Sequence, residues 1–203
     1  EMCIRDRPNQ GNTYSPIQFE TDDTIYKNFF EVAQILNDYV DIFYLDVLCS
    51  IKEIELALEA TKNFNKKVLV GAHLRFDANL PSGETIDDLI ELVKKYNCCG
   101  IIAACVSPEI VELSIPKLNK QKLHFGFKVN LFRELPTSTK DNFHNKGFDG
   151  DAVYEDPADL LGTRKDEFLD KKFKSFILNT SNEGTTLIGG CCEAVSYTHL
   201  RAH

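Results

Sequence analysis

Short apolar segments alternate with segments of helical length along most of the chain, and this alternation constrains the fold more than any other feature. The predicted strands are Asp41–Asp46, Lys67–Ala72, Gly100–Cys105, Leu123–Val129 and Thr185–Gly190. The segments between them place apolar residues three and four positions apart, as helices do. Short apolar strands joined by crossover helices form a parallel sheet. The sequence therefore predicts an α/β fold, and an open doubly wound sheet and a (β/α)₈ barrel share this pattern.

Local signals mark the helices. Thr21–Asp38 and Arg164–Asn179 have helical periodicity. Ser50–Glu53 has the capping-box pattern, in which a hydroxyl and a carboxylate accept from backbone N–H groups of the first turn. Ser107–Pro108 combines a capping hydroxyl with a first-turn proline. The polar stretch Asn130–Tyr154 is predicted to be a loop over a site.

Charge and composition exclude several classes of function. The formal net charge is −8, and the Lys and Arg residues are interspersed with acids. Nucleic acids and anionic membranes bind clustered cations, so neither partner is expected. No apolar run approaches the roughly 20 residues of a membrane span, and the chain has no signal-peptide pattern. No glycine-rich phosphate loop follows a strand. We therefore predict a cytoplasmic protein.

Cysteines and one carboxylate stand where predicted strands end. Cys105 ends one strand, Cys191 and Cys192 follow another, and Asp46 ends a third. In parallel α/β folds, ligands bind outside the carboxyl ends of the strands. We therefore expect three thiols and one carboxylate to converge on one face. Without a secretory context, clustered cysteines indicate metal binding or catalysis more often than disulfides.

The adjacency of Cys191 and Cys192 limits the kinds of site that the two thiols can form. Neighbouring Cα atoms are about 3.8 Å apart, below the roughly 4.4–6.8 Å that disulfides prefer, so a vicinal disulfide is strained. Sulfur ligands of a tetrahedral zinc ion are about 3.8 Å apart, which adjacent residues can reach. Gly189 and Gly190 supply the backbone freedom to aim both thiols at one ion. Zinc binding and a redox function of the pair are both open at this point.

Three thiolate ligands favour one kind of zinc chemistry. Thiolates are soft ligands that select zinc over magnesium or calcium. Three of them make the complex negative, which is a poor setting for generating hydroxide. A free thiol with a pKa near 8.5 is only about 3% thiolate at pH 7, whereas metal coordination deprotonates it. Because the thiolate is the nucleophile, the residues indicate alkylation of a substrate thiol.

Several segments together resemble one family. Ile188-Gly-Gly-Cys-Cys-Glu193 resembles the signature of the zinc-dependent homocysteine S-methyltransferases, the group that contains betaine–homocysteine methyltransferase. Cys105-Val-Ser-Pro-Glu109 resembles the segment with the family's other zinc cysteine. The further similar segments are Gly11–Tyr14, Leu45–Ser50, Pro81–Thr85 and Leu161–Arg164. The resemblance runs from about Pro8 to Glu193.

The resemblance implies a (β/α)₈ TIM barrel in which Cys105, Cys191 and Cys192 hold Zn²⁺. Homocysteine sulfur would take the fourth ligand position and attack the methyl group of a small donor, giving methionine. Asp46 stands where the family usually has a Glu that binds the substrate amino group, and Asn130 matches a second substrate-binding position. No catalytic residue beyond the metal ligands is expected. The donor (betaine, S-methylmethionine, methylfolate on a cobalamin partner or a sulfonium osmolyte) and the oligomeric state are left open.

The resemblance also implies an incomplete barrel. Residues 8–195 would hold strands four to eight with their helices, while the first three strands and the last helix are missing. Residues 1–7 and 196–203 fit neither a helix nor a strand pattern and resemble translated sequencing-adapter sequence. We expect these tails to carry no function. We also expect the parent protein, rather than this fragment, to be the active enzyme.

Two alternatives compete with the methyltransferase: a redox-active α/β protein that uses Cys191–Cys192, and a barrel remnant without catalysis. Cys49, Cys98 and Cys99 are expected to be buried or half-buried spectators, with the last two at the opposite end of the sheet. His73 is expected to be a satisfied or solvated side chain. Ala104 replaces the family's usual Asn before the first zinc cysteine, which removes a hydrogen bond that would support the zinc ligands.

Overall fold

The computed structural model describes residues 3–5, 20–119, 123–131 and 171–191. Its elements are, in chain order, β1 Cys3–Arg5, α1 Asp22–Leu36, β2 Ile42–Leu48, α2 Ile51–Thr61, β3 Lys67–Ala72, α3 Ile86–Lys95, β4 Gly100–Val106, α4 Pro108–Leu118, β5 His124–Val129, α5 Lys171–Asn182 and β6 Leu187–Gly190. A 3₁₀ turn, Lys62–Phe64, lies between α2 and β3. All five predicted strands are present, with bounds within two residues of those predicted.

The strands form one parallel sheet in the sequential order β1-β2-β3-β4-β5-β6. Its register pairs Val70 with Ile101 between β3 and β4, and Phe127 with Ile188 between β5 and β6. A doubly wound sheet reverses its strand order at a switch point, so that alternative is wrong for the described strands. Because crossovers share one hand, sequential order places the helices on one face of the sheet.

The two faces of the sheet differ in what covers them. The helix-covered face carries the large apolar core, to which Phe43, Leu45 and Ile101 belong. The opposite face, called the inner face below, carries a small separate cluster of Val47, Ile102, Ala104, Cys105 and Cys191. Within the described residues the sheet is open, with β1 and β6 as its edges. The α/β class is thus confirmed and the arrangement fits part of a TIM-type barrel, whereas closure into a barrel is not confirmed.

The strand β1 is not predicted from the sequence. It pairs in parallel with β2, with Cys3 opposite Ile42 and Arg5 opposite Tyr44. The expectation that residues 1–7 fit no strand pattern is therefore wrong for residues 3–5. Pairing at a sheet edge depends on main-chain hydrogen bonds, which a side-chain pattern does not report. That residues 1–7 and 196–203 are adapter-like tails stays a prediction.

Hydroxyl side chains cap α1, α2 and α4, and the caps at Ser50 and Ser107 were predicted. Thr21 Oγ1 accepts from the Thr24 backbone N–H at 3.3 Å, and Ser50 Oγ accepts from the Glu53 N–H at 3.1 Å. The Glu53 carboxylate accepts from the backbone N–H of Cys49 at 3.0 Å, one residue before the expected partner. Ser107 Oγ accepts from the first turn of α4, which begins at a proline. The caps at Ser50 and Ser107 end the connections from β2 to α2 and from β4 to α4 at a defined residue.

Candidate functional site

The sulfur atoms of Cys105 and Cys191 lie 3.0 Å apart, although 86 positions separate the two residues in the chain. Both side chains are buried, with 0% and 5% exposed surface. A disulfide would need about 2.05 Å between the sulfurs, whereas two ligands of one zinc ion stand about 3.8 Å apart. A sulfur displacement of under about 1 Å would therefore let both thiols bind one ion. The two residues fit a zinc site.

Two β-bulges turn the site residues toward the inner face. The pairing of β4 with β5 is irregular at Cys105, and the pairing of β2 with β3 is irregular at Val47. Both residues have positive φ, 55° for Cys105 and 56° for Val47, a conformation rare for residues other than glycine. Each bulge thereby puts two consecutive side chains on the inner face, Ala104 with Cys105 and Asp46 with Val47. A regular strand would have sent one of each pair to the helices.

Asn130 lies directly after β5 and holds the Cys105 segment. Its Nδ2 donates to the Cys105 backbone carbonyl at 2.7 Å and lies 3.8 Å from the Cys105 sulfur. The backbone N–H of Asn130 donates to the Val106 carbonyl at 2.9 Å, and the backbone N–H of Cys191 donates to the Val129 carbonyl at 2.7 Å. Asn130 therefore fixes the Cys105 segment from the neighbouring strand.

Asp46 is buried and pairs with a residue that the sequence analysis missed. Lys128 Nζ lies 2.5 Å from Asp46 Oδ2, and the side chains are 10% and 2% exposed. The ammonium group also lies 5.7 Å from the centre of the Tyr44 ring, a cation–π contact. The missed signal was a lysine inside the apolar strand β5, since lysine is almost never fully buried unless it is paired.

A cavity of about 170 Å³ lies on the inner face beside Lys128. Its walls are otherwise largely apolar and include Leu69, Ile102 and Leu187. Gly71 makes room for the Tyr44 ring, because a Cβ at position 71 would lie 2.7 Å from it. The inner face thus combines two thiols, one ion pair and an apolar hollow.

A family model of homocysteine S-methyltransferases matches residues 3–202, nearly the whole chain. The chain belongs to the homocysteine S-methyltransferase family. The family match supports methyl transfer of the homocysteine S-methyltransferase type as the general activity. No curated protein matches the chain.

Several residues of the homocysteine S-methyltransferase pattern lie outside the described residues. They are Cys192, the segments Gly11–Tyr14 and Leu161–Arg164, most of the predicted loop Asn130–Tyr154 and the first part of the predicted helix Arg164–Asn179. Within residues 20–119, 123–131 and 171–191, no three His, Cys, Asp or Glu side chains form a group that could hold a metal ion. The described part of the chain thus contains two of the three predicted zinc ligands.

Three further cysteines of the described residues, Cys49, Cys98 and Cys99, make hydrogen bonds or are buried apart from the Cys105–Cys191 pair. Cys98 and Cys99 precede β4 at the opposite end of the sheet, as predicted, and the Cys99 thiol donates to the Val68 carbonyl at 3.1 Å. Burial raises the pKa of the Cys98 thiol to about 12. Cys49 is buried at the start of α2 and its thiol donates to the Val47 carbonyl at 3.6 Å.

His73 is buried beside the site without joining it as a third ligand in the described structure. Its Nδ1 lies 3.2 Å from the Ala104 carbonyl oxygen, so the ring is hydrogen-bonded, as expected from the sequence.

The helices that the structure describes include none long and apolar enough to cross a bilayer.

Proposed function

We propose that this chain forms the zinc- and homocysteine-binding part of an enzyme that methylates homocysteine to methionine. Cys105, Cys191 and Cys192 are the proposed zinc ligands. The observation that carries the proposal is the 3.0 Å contact between the Cys105 and Cys191 sulfurs on the inner face. Family membership adds methyl transfer as the general activity. The 200-residue extent of the family match makes a redox protein on an unrelated fold the weaker candidate.

The chain's own residues have three tasks in this reaction. Zinc, when bound, would hold the substrate sulfur as a thiolate at neutral pH. Asn130 keeps the Cys105 backbone in its left-handed conformation and donates toward its sulfur. Val47, Ile102 and Ala104 surround the thiols with apolar side chains and exclude water. Asp46 is the proposed partner of the substrate ammonium group.

We also infer that the strands β2 to β6 are part of a (β/α)₈ barrel within residues 8–195. Sequential parallel order with the apolar core on the helix side supports a barrel wall. The bulges and site residues lie at the carboxyl ends of β2 and β4, where barrel enzymes carry their active sites.

The test is zinc content and methyl transfer in the full-length protein. We expect about one zinc ion per chain and formation of labelled methionine from homocysteine with one of several methyl donors. Cys105→Ala and Cys191→Ala should lose both. Cys98→Ala, which removes a thiol at the opposite end of the sheet, is the matched control and should keep both. A Cys191→Ala protein that keeps stoichiometric zinc would contradict the proposal, as would a metal-free protein that reversibly loses two hydrogens at Cys191–Cys192.

A further inference from the structure

The buried ion pair lies one side-chain layer below the thiols. Lys128 pairs in register with Gly189, two residues before Cys191, and it precedes Asn130 by two residues. Side chains two positions apart on a strand share a face and stand about 6.6 Å apart along it. Lys128 Nζ and Asp46 Oδ2 therefore meet on the inner face next to the proposed thiol site. The cavity of about 170 Å³ has Lys128 in its wall.

The ion pair can take further hydrogen-bond partners. An ammonium group has three donors, and a carboxylate has about four acceptor positions. A pair of opposite charges in an apolar setting is itself expensive to bury, because both groups lose water. A ligand that brings one positive and one negative group to such a pair keeps the local net charge at zero. The chemistry of the pair thus matches a zwitterion better than a ligand of either single charge.

We propose that Lys128 is a substrate-binding residue that holds the carboxylate of an α-amino-acid thiol while Asp46 holds its ammonium group. This inference rests on the proposed function and specifies how that site recognises its substrate. The methylene groups of the substrate lie between the ion pair and the thiols, beside the apolar side chains of Val47 and Ala104. Its sulfur then extends toward Cys105 and Cys191.

The site should therefore select ligands that carry both an ammonium group and a carboxylate. A thiol that lacks the ammonium group leaves its carboxylate to compete with Asp46 for Lys128. A thiol that lacks the carboxylate leaves its ammonium group to compete with Lys128 for Asp46. In each case a charge enters a buried site without its counter-charge, which is unfavourable.

The experiment uses titration calorimetry on the zinc-loaded full-length protein. It compares three thiols that share the same three-carbon segment next to sulfur. They are L-homocysteine, 4-sulfanylbutanoate without the ammonium group, and 3-aminopropane-1-thiol without the carboxylate. The wild-type protein should bind homocysteine at least about tenfold more tightly than either analogue. Equal affinity for homocysteine and 4-sulfanylbutanoate, or for homocysteine and 3-aminopropane-1-thiol, overturns the proposal.

The Lys128→Met variant separates recognition from structural support. It should weaken the binding of homocysteine and of 4-sulfanylbutanoate by at least about tenfold. The binding of 3-aminopropane-1-thiol should be kept or improved, because its ammonium group no longer competes with Lys128 for Asp46. Lys128→Arg keeps the charge and should keep the order of the three affinities. Equal weakening of all three thiols by Lys128→Met overturns the proposal, because a purely structural role would produce it.

A variant without either charge keeps the test decisive if Lys128→Met does not fold. In Asp46→Asn/Lys128→Met both groups are neutral, and the three thiols should bind with similar affinity. Wild-type selectivity in this double variant overturns the proposal. Zinc content and methyl transfer to homocysteine report separately on the proposed function. If the protein binds zinc and methylates homocysteine but Lys128→Met does not change the order of the three affinities, only the assignment of Lys128 fails. If it neither binds zinc nor methylates homocysteine, the proposed function fails.

Discussion

The side-chain amide of Asn130 donates to the backbone carbonyl of Cys105 at 2.7 Å, joining the carboxyl ends of two neighbouring strands. Cys105 has φ 55°, a conformation that needs support from its surroundings. Backbone strain of this kind costs about 1–3 kcal/mol and persists when neighbouring contacts enforce it. The position of the first proposed zinc ligand therefore depends on a residue in the next strand.

The substitution Asn130→Asp should damage the site with little change in side-chain size. The carboxylate has no N–H to donate, so a carboxylate oxygen would face the Cys105 carbonyl oxygen and repel it. We expect a loss of about 1–3 kcal/mol in the free energy of unfolding and roughly 10–100-fold weaker zinc binding. Urea unfolding and competition with a chromophoric chelator measure the two effects. The same change at exposed Asn119, after α4, is the control; unchanged zinc affinity in Asn130→Asp would contradict the interpretation.

Removal of one member of the Lys128–Asp46 pair should destabilise the protein more than removal of both. Lys128→Met leaves a buried carboxylate without its counter-charge, which costs about 3–5 kcal/mol. Asp46→Asn/Lys128→Met leaves no buried charge, so its loss of stability should be smaller than the sum of the two single losses. A double-mutant cycle by urea unfolding measures the coupling. Additive single losses would show that the 2.5 Å contact contributes nothing to stability.

Gly71 should not tolerate a methyl group, whereas Gly189 on the same face should. A Cβ at position 71 would lie 2.7 Å from the Tyr44 ring and 2.9 Å from the Leu45 carbonyl oxygen. At position 189 the nearest atom would be 3.6 Å away, an ordinary contact. Gly71→Ala should therefore cost about 1–3 kcal/mol, or roughly 3–10 °C in Tm, while Gly189→Ala stays within about 1 kcal/mol of wild type. Equal melting temperatures for the two variants would disprove this steric account.

Cys98 should make the protein sensitive to alkaline pH. Burial, with a smaller contribution from Cys99, raises the pKa of the Cys98 thiol to about 12. In the unfolded chain the Cys98 thiol releases its proton near pH 8.5. Above that pH the thiol is protonated in the folded state and deprotonated in the unfolded state, which favours unfolding. The stability contribution is complete below about pH 8.5 and is lost as the pH rises toward 12.

The comparison of wild type with Cys98→Ala isolates this effect. From pH 8 to pH 10 the wild-type protein should lose about 2 kcal/mol more stability than Cys98→Ala. Both proteins keep the other alkaline groups, including Tyr96, whose pKa is raised by burial and by Glu59. Urea unfolding at each pH gives the difference. Parallel pH profiles for the two proteins would show that the Cys98 thiol does not couple to folding.

Sequence reasoning predicted the elements well because their signals are local. Five strands were predicted from apolar runs, and α2 and α4 begin next to the hydroxyl residues Ser50 and Ser107 that were expected to cap them. The placement of Cys105 and Cys191 together followed from one further rule, that parallel strands end on the same side. The family resemblance is confirmed by the family match.

The side-chain directions at the bulges could not be predicted in this way. The strand Gly100–Val106 is apolar on both faces and buried throughout, so its sequence carries no alternation that assigns a face to Cys105. The bulge at Cys105 arises from the pairing of β4 with β5, which involves residues more than 20 positions apart. Local periodicity contains no information about such pairing.

The amino-acid sequence by itself determined which segments are strands and helices, where the helices begin and which family the chain resembles. The tertiary structure alone decided that Lys128 meets Asp46 across 82 positions, that Asn130 supports Cys105 and that Gly71 accommodates Tyr44. The physical reason is the range of the forces involved. Capping and periodicity act within one or two turns of the chain, whereas pairing of buried charges and close backbone approach depend on strand register in the assembled sheet.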